Sequence, residues 1–352
     1  MKFGISWMPD CGPDVRSATS YFDDVLRLSV LAEELGFDYI KMTEHYLHAA
    51  GGYCPSPLAF LAAVGVQTER IRLLTGGIQA SFHHPIQLAA EAAQIDAMTH
   101  GRLDVGFARA FLPYEFEAFG VDMHQSRERF RATVDTVVRL WTEKGVTVDT
   151  PFFSFKDATS FPEPFQRPHP PVWICALMSE SSFRYAGERG YNLLMTASPR
   201  PEALQHAAMA VKLYRDTFEK HHGSSGREPQ VAVSLPLMAG ETDAEALEIA
   251  RPQIQRYHKV WGDAVKGLAQ VDSPDYAGYQ GVTKGFDASV EDTAKQLVCG
   301  SPETIARRVE ELRDGLGVDT ILWIVDGGSP DYAAMERTIR LFTEQVRPKL
   351  SD

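Results

Sequence analysis

Basic residues are the scarcer charge in this chain: 35 Lys and Arg stand against 47 Asp and Glu, a formal net charge of -12. That balance disfavours a nucleic-acid or anionic-membrane partner, both of which reward basic patches. Long apolar runs are missing as well. No segment approaches the roughly 20 apolar residues of a membrane span. The start, Met1-Lys2-Phe3-Gly4-Ile5-Ser6-Trp7, carries one Lys and no apolar stretch of signal-peptide length, so a cytoplasmic location is expected. Cysteine is sparse: Cys11, Cys54, Cys175 and Cys299 lie far apart with no C-x-x-C spacing, which fits reduced structural thiols better than a disulfide framework or a zinc site. His45 and His48 could in principle bind a metal. There is, however, no H-x-H on the first strand and no helical H-E-x-x-H, so no metal is expected and a metal-dependent hydrolase ranks low. No G-x-G-x-x-G opens a βαβ unit, which argues against an internal nicotinamide domain.

What is present is a chain of 352 residues, 44% hydrophobic and 23% charged, able to bury one full core as a single domain over 1–352. Strand-like and helix-like segments alternate. Residues 2–6 read as a first strand, and Tyr21, Val25, Leu28, Ala32 and Leu35 mark the apolar face of a helix at spacings of three and four. Further strands are expected at 38–43, 71–78, 103–107, 171–176, 192–195, 230–238 and 320–325, with Pro85 opening one helix and another running from Ser126 to Thr142. Eight βα units predict a closed (β/α)8 TIM barrel. Residues 264–297 break the alternation. Rich in Gly, Ser, Asp and Tyr and lacking a clean period, they read as an insertion before the last βα unit, either a lid over the barrel mouth or a surface excursion.

The most informative stretch is Lys41-Met42-Thr43-Glu44-His45-Tyr46, where an acid and an imidazole stand at the carboxyl end of the second strand. In parallel α/β proteins that end carries the ligand site. His45 suits acid/base work because its pKa lies near working pH, the plainer reading being a cap on the strand. Glu44 should face the opposite way and play a supporting part. Gly76-Gly77 ends the third strand with residues that tolerate unusual backbone geometry and the close approach of a planar ring. Trp7, Tyr46, Tyr53, Phe107 and Phe111 fall near strand ends and are candidates to line an apolar substrate pocket, or else core. Ser179-Glu180-Ser181-Ser182 precede a helix expected near Phe183, a favourable anion site or an ordinary N-cap.

Together, Met1-Lys2-Phe3-Gly4, Glu44-His45-Tyr46, His84-Pro85, the run from Gly101 to Arg109 and Phe119-Gly120-Val121-Asp122-Met123 with Ser126-Arg127 resemble the bacterial luciferase-like flavin-dependent monooxygenases. The likeness covers about the first 200 residues and returns at Gly300-Ser301-Pro302-Glu303. The resemblance implies a proton-transfer role beside the flavin for His45, a non-prolyl cis peptide against the flavin ring at Gly76-Gly77, and phosphate binding by Arg109, Ser179 and Ser182. It further implies reduced FMN delivered by a separate flavin reductase, a C4a-(hydro)peroxyflavin that oxygenates a small hydrophobic molecule, and a homodimer. Ala108 stands where the luciferase pattern has a reactive cysteine and Tyr46 where it has a second histidine, which argues against light emission. Two alternatives within flavin chemistry stay open: an F420-dependent dehydrogenase of the same superfamily, and a flavin-binding protein without catalysis.

Overall fold

The computed structural model describes residues 1–177, 179–196, 201–279 and 282–350. Among these residues twelve strands are formed: β1 (Lys2–Trp7), β2 (Tyr39–Met42), β3 (Arg72–Thr75), β4 (Ile78–Gln79), β5 (Leu103–Ala108), β6 (Val146–Asp149), β7 (Ser154–Ala158), β8 (Val172–Ala176), β9 (Asn192–Thr196), β10 (Val231–Ala239), β11 (Val298–Gly300) and β12 (Thr320–Ile324). The helices are α1 (Ala18–Glu34), α2 (Pro57–Gly65), α3 (Pro85–Met98), α4 (Pro113–Ala118), α5 (Ser126–Thr142), α6 (Glu180–Arg189), α7 (Pro201–His222), α8 (Asp243–Val265), α9 (Val290–Ala294), α10 (Pro302–Leu316) and α11 (Tyr332–Leu341).

Parallel pairing runs β1-β2-β3-β5-β8-β9-β10-β12, and β12 returns to β1 with Gly4 opposite Leu322 and Ser6 opposite Ile324. The sheet therefore closes into the expected eight-stranded barrel, with helices between successive strands. Local chemistry sets the helix starts. Ser17 caps α1 by accepting from the Ser20 N–H, while Pro85 occupies the first turn of α3, where a missing N–H leaves no hydrogen bond unmade. On α1 the buried residues Tyr21, Val25, Leu28 and Ala32 follow the predicted stripe.

Alternation along the strands separates two cores. Phe3, Ile5, Trp7, Ile40, Met42, Leu73, Val105 and Phe107 face the helix layer. Tyr39, Leu74, Trp173, Leu194, Ala232 and Leu322 fill the barrel lumen and seal its floor.

Three segments differ from the sequence expectation. The third strand stops at Thr75, turns through a cis Gly76-Gly77 peptide, and resumes as the two-residue β4 beside β5. Between α5 and β8, where no strand was expected, residues 146–158 fold into the antiparallel hairpin β6-β7, whose alternate Val146 and Val148 are buried. Residues 264–297 are a chain of short helical turns at Lys266–Gln270, Pro274–Tyr279 and Val282–Asp287, followed by α9; Gln280 and Gly281 lie outside the described residues. No helix there is long enough to print a 3.6-residue period, which is why the sequence shows none. Apolar side chains anchor these turns: Tyr276, Tyr279 and Leu268 join Leu112, Val260 and Trp261 in a cluster over the barrel mouth.

Where β3 breaks off, Gly106 makes the close approach possible. Its N–H donates to Thr75 Oγ1 at 2.8 Å, the Thr75 hydroxyl donates to the Gly106 carbonyl at 2.9 Å, and a Cβ on Gly106 would lie 2.1 Å from the Thr75 carbonyl oxygen. Gly106→Ala should therefore cost about 1–3 kcal/mol through backbone displacement and lower the thermal midpoint by a few degrees. An unchanged melting curve would show that the strands can part without cost.

Candidate functional site

At the C-terminal end of the barrel, β2 gives way to an extended segment whose side chains alternate to opposite sides. His45 turns to one side. Its Nδ1 lies 3.1 Å from Glu115 Oε1 on α4 and 3.3 Å from Gln79 Nε2 at the end of β4. The same Glu115 oxygen accepts from the Tyr46 N–H at 2.9 Å, and Glu115 is fully buried, its other oxygen unpartnered among the described residues. Among the described residues His45 Nε2 has no hydrogen-bond partner, so one ring nitrogen is tethered and the other is free. The ring is walled edge-on by Phe111 at 6.0 Å and Trp261 at 5.5 Å, and Phe111 stacks on Tyr279 at 5.6 Å.

Glu44 turns the other way, into a buried nest. It accepts from the Tyr46 hydroxyl at 2.7 Å and from the Gln79 N–H at 3.3 Å, and pairs with His83 Nε2 at 2.8 Å. Burial pulls the His83 pKa down, but the hydrogen bond and charge of Glu44 outweigh it and hold His83 above the ordinary histidine value. Glu44 thus organises Tyr46, Gln79 and His83, and Gln79 in turn donates to the Glu44 carbonyl at 2.7 Å.

The predicted aromatic lining divides. Trp7 is buried under α1 with its indole N–H on Ser29 Oγ at 3.0 Å, and Phe107 packs into the helix-layer core; strand alternation turns both away from the lumen. Tyr46 points its ring at Phe119, 4.8 Å away, on the Glu44 side. Tyr53 donates its hydroxyl to the Arg16 carbonyl. Of the proposed set, Phe111 reaches the His45 side, joined by Trp261, Tyr276 and Tyr279, which no strand-end pattern could have flagged.

Arg109, immediately after β5, donates to the Asp275 carboxylate at 3.1 Å and to the Asp275 carbonyl at 2.9 Å, and its guanidinium lies 4.3 Å from the Tyr276 ring centre. Arg127 on α5 holds the same carboxylate at 2.6 Å. One turn further along α5, Arg131 reaches the Ser181 carbonyl at 3.2 Å. Helix α6 starts at Glu180, earlier than expected, so Ser179 is its N-cap and Ser182 lies in its first turn; Met178 lies outside the described residues. Ser179 makes no side-chain capping bond. Its hydroxyl pairs with Ser181 Oγ at 3.0 Å, which leaves the helix's first N–H groups open to an anion. Asp275 joins Arg109 to Arg127 on α5, and Arg131 on α5 reaches the uncapped N-terminus of α6; Arg127 entered the sequence reading only within a family motif, and Arg131 not at all, because their i, i+4 spacing reads as any exposed helix face. Among the described residues no group of His, Cys, Asp and Glu could hold a metal ion, and no helix is long and apolar enough to cross a membrane.

Behind Trp261 lies a buried pair of acids. Asp10 accepts from Trp261 Nε1 at 2.5 Å and from the Gly328 N–H at 3.1 Å; Asp326 accepts from the Tyr21 hydroxyl at 2.7 Å and the Met8 N–H at 2.9 Å. Burial, and then the negative charge of Asp326, push Asp10 up to about 8, and burial pushes Asp326 up to about 6.

Comparison with known proteins places these features in context. Residues 1–320 match the family model described as luciferase-like monooxygenase. The chain is 32% identical to the oxygenase component of the flavin-dependent trigonelline monooxygenase of Acinetobacter baylyi, covering 100% of this chain and 96% of that protein. It is similar to the crystal structure of monooxygenase RslO1 from Streptomyces bottropensis, with a TM-score of 0.85, 34% identity and 99% of each chain covered. An F420-dependent glucose-6-phosphate dehydrogenase of Kribbella flavida is 29% identical over 93% of this chain and 94% of its own.

The acid pair generates a pH dependence of stability. Both folded-state values are raised, so the unfolded chain gives up its protons first, and stability declines as pH climbs from the ordinary carboxyl range toward about 8. Thermal midpoints measured between pH 6 and 8 should fall for the parent protein and vary less in Asp10→Asn. A parent profile that rises across this interval would contradict a protonated pair.

Proposed function

The chain belongs to the luciferase-like monooxygenases, and we propose that it is the FMN-dependent oxygenase component of a two-component system acting on a small hydrophobic organic substrate. The observation that carries this reading is the meeting, at one end of the barrel, of a tethered imidazole with a free Nε2, an aromatic wall, and an arginine-lined anion seat.

Reduced flavin supplies two electrons, with which dioxygen is split so that one atom enters the substrate and the other leaves as water. The residues of this chain do the rest. Arg109, Arg127 and the N-terminus of α6, with Ser179 and Ser182, would hold the phosphate. A terminal phosphomonoester, close to doubly charged at neutral pH, matches two or three guanidiniums better than the singly charged diester of F420 does. Gly76 and Gly77 present backbone without side chains, against which a planar ring can lie. His45, oriented by Glu115 and Gln79, offers Nε2 as the proton carrier. Phe111, Trp261 and Tyr279 exclude water and receive an apolar substrate. Light emission is not part of the reading, since Ala108 and Tyr46 depart from the luciferase pattern. With no nicotinamide-binding turn in the sequence, a separate flavin reductase is the proposed partner, and the reading includes a homodimer.

Asp275, on the turns that cover the mouth, occupies the guanidiniums that the phosphate would take. Binding of FMN would exchange one anion for another and free the covering segment, which is how residues 264–297 act as a lid in this reading.

Supplied with reduced FMN, the protein should consume oxygen in step with substrate oxidation and should not reduce F420 with the substrates of F420-dependent dehydrogenases. F420 reduction without oxygen uptake would favour the dehydrogenase reading. His45→Ala should cut substrate oxidation on the order of 10²–10⁴-fold while FMN affinity stays near the parent value. Fluorescence titration with FMN tests the anion seat: Arg109→Ala should weaken binding on the order of 100-fold, whereas Asp275→Asn should tighten it. Loss of affinity in Asp275→Asn would remove the exchange from the proposal.

A further inference from the structure

Lys41 takes no part in the arrangement described so far. It lies on β2 with its side chain in the barrel lumen and is only 5% exposed. Its Nζ donates to Ser6 Oγ on β1 at 3.0 Å and to Thr43 Oγ1 at 3.1 Å. Ser6 Oγ is bonded in turn to Ser234 Oγ on β10 at 3.2 Å, and Thr43 Oγ1 donates to the Gly76 carbonyl at 3.3 Å. The amine's hydrogen-bond partners are therefore hydroxyls, while the Cys175 thiol and the buried Asp326 carboxyl act on it through charge alone. No carboxylate lies within 4.0 Å of it among the described residues, the charge of Asp326 reaching it from farther off. An ammonium has three donors, and hydroxyls satisfy two of them.

Asp326 offsets part of this buried charge from beyond ion-pair distance, but an ammonium with no carboxylate in contact still gains from a closer anion. The floor of the lumen cannot supply one, since Tyr39, Leu74, Trp173, Leu194, Ala232 and Leu322 form an apolar layer. On the mouth side the lysine touches the place where the proposed flavin ring rests. Its stem packs against Gly76 so closely that a Cβ there would lie 2.0 Å from Lys41 Cε, and a Cβ on Gly77 would meet Cys175 Sγ at 2.6 Å. Burial pushes the Lys41 pKa down to about 8, a value at which the amine is charged at neutral pH but gains from an added anion.

We propose that Lys41 is a cofactor-binding residue whose ammonium supplies the counter-charge to the anionic pyrimidine edge of reduced flavin seated on Gly76-Gly77. The inference rests on the flavin reading above and deepens it. Oxidised isoalloxazine is neutral, whereas the reduced ring readily loses a proton and carries the charge over N1 and the C2 carbonyl, the part of the ring that protein charges tune. A cation in the lumen then distinguishes the two oxidation states. It holds the reduced form delivered by a reductase more tightly than the spent form, which favours exchange of one for the other after each turnover.

Lys41→Met keeps the length of the stem and removes the charge, and Lys41→Gln keeps a donor without charge, so a folding defect in one leaves the other to be measured. Anaerobic titrations with oxidised and reduced FMN, with spectroelectrochemistry of the bound flavin, read the effect. The expected result is oxidised FMN bound within about twofold of the parent and reduced FMN bound about tenfold more weakly, which lowers the two-electron midpoint potential by about 30 mV. Equal weakening of both states would reduce Lys41 to a structural role and overturn the proposal. Unchanged binding of both states with a loss of affinity for an acidic substrate would overturn it in favour of a substrate anion. A parent protein that binds neither form of FMN would overturn the flavin reading itself, and the Lys41 assignment with it.

Discussion

Closure of the sheet between β12 and β1 is the constraint on which the rest of the molecule depends. Pairing Gly4 with Leu322 and Ser6 with Ile324 fixes the register, and register in a pleated sheet decides which side of every strand faces the lumen. Once it is set, Ser6, Lys41, Ser234 and Cys175 have nowhere to go but inward, above the apolar floor. Trp7 and Phe107 are equally bound to face the helices, although their position at strand ends gave them the look of pocket residues. A one-residue shift would exchange the two sets.

The mouth built on that frame separates two acids by role. Glu44 sits within hydrogen-bond reach of Tyr46, Gln79 and His83 and has no oxygen to spare for a ligand. Glu115 comes from a different segment and tethers the imidazole through one oxygen, while the other has no partner among the described residues. Such a buried, half-satisfied acid is tolerated because its hydrogen bonds to the Tyr46 N–H, Gln79 and His45 spread its charge. Trp261, held from behind by Asp10, closes the far wall. The His45 side of the mouth is thus assembled from the segment after β2 and from β4, α4 and α8, which share no sequence neighbourhood. This dispersion is what makes the site rigid: every side chain that touches His45 is itself held by another element.

The segment at 264–297 meets both the aromatic wall and the arginines. Its aromatic residues pack on the wall beside His45, while Asp275 satisfies two arginines of the anion seat. Two guanidiniums left facing each other without an anion would repel, so the acid stabilises the seat in the absence of a phosphate. The turns at 264–297 and the two arginines thus share one carboxylate, that of Asp275.

Hydrophobic periodicity alone determined the barrel, the helix stripe through Tyr21, Val25, Leu28 and Ala32, and the placing of His45 at a strand's carboxyl end. These are properties of spacings along the chain, and spacing survives without a third dimension. Gly76-Gly77 was legible as the end of the third strand, whereas the cis peptide there and a phosphate role for Arg109 were expected from the family resemblance and not from spacing. Only the tertiary structure decided that Glu115 rather than Glu44 holds the imidazole, that Trp261, Tyr276 and Tyr279 form the wall, and that Asp275 meets Arg109 across 166 residues. It also showed that the lumen holds a lysine with no ion-pair partner within 4.0 Å among the described residues, Asp326 acting on it only from farther off. Those contacts join segments whose separation in the chain carries no periodic signal, and they come into being only when closure of the barrel brings all the strand ends to one mouth.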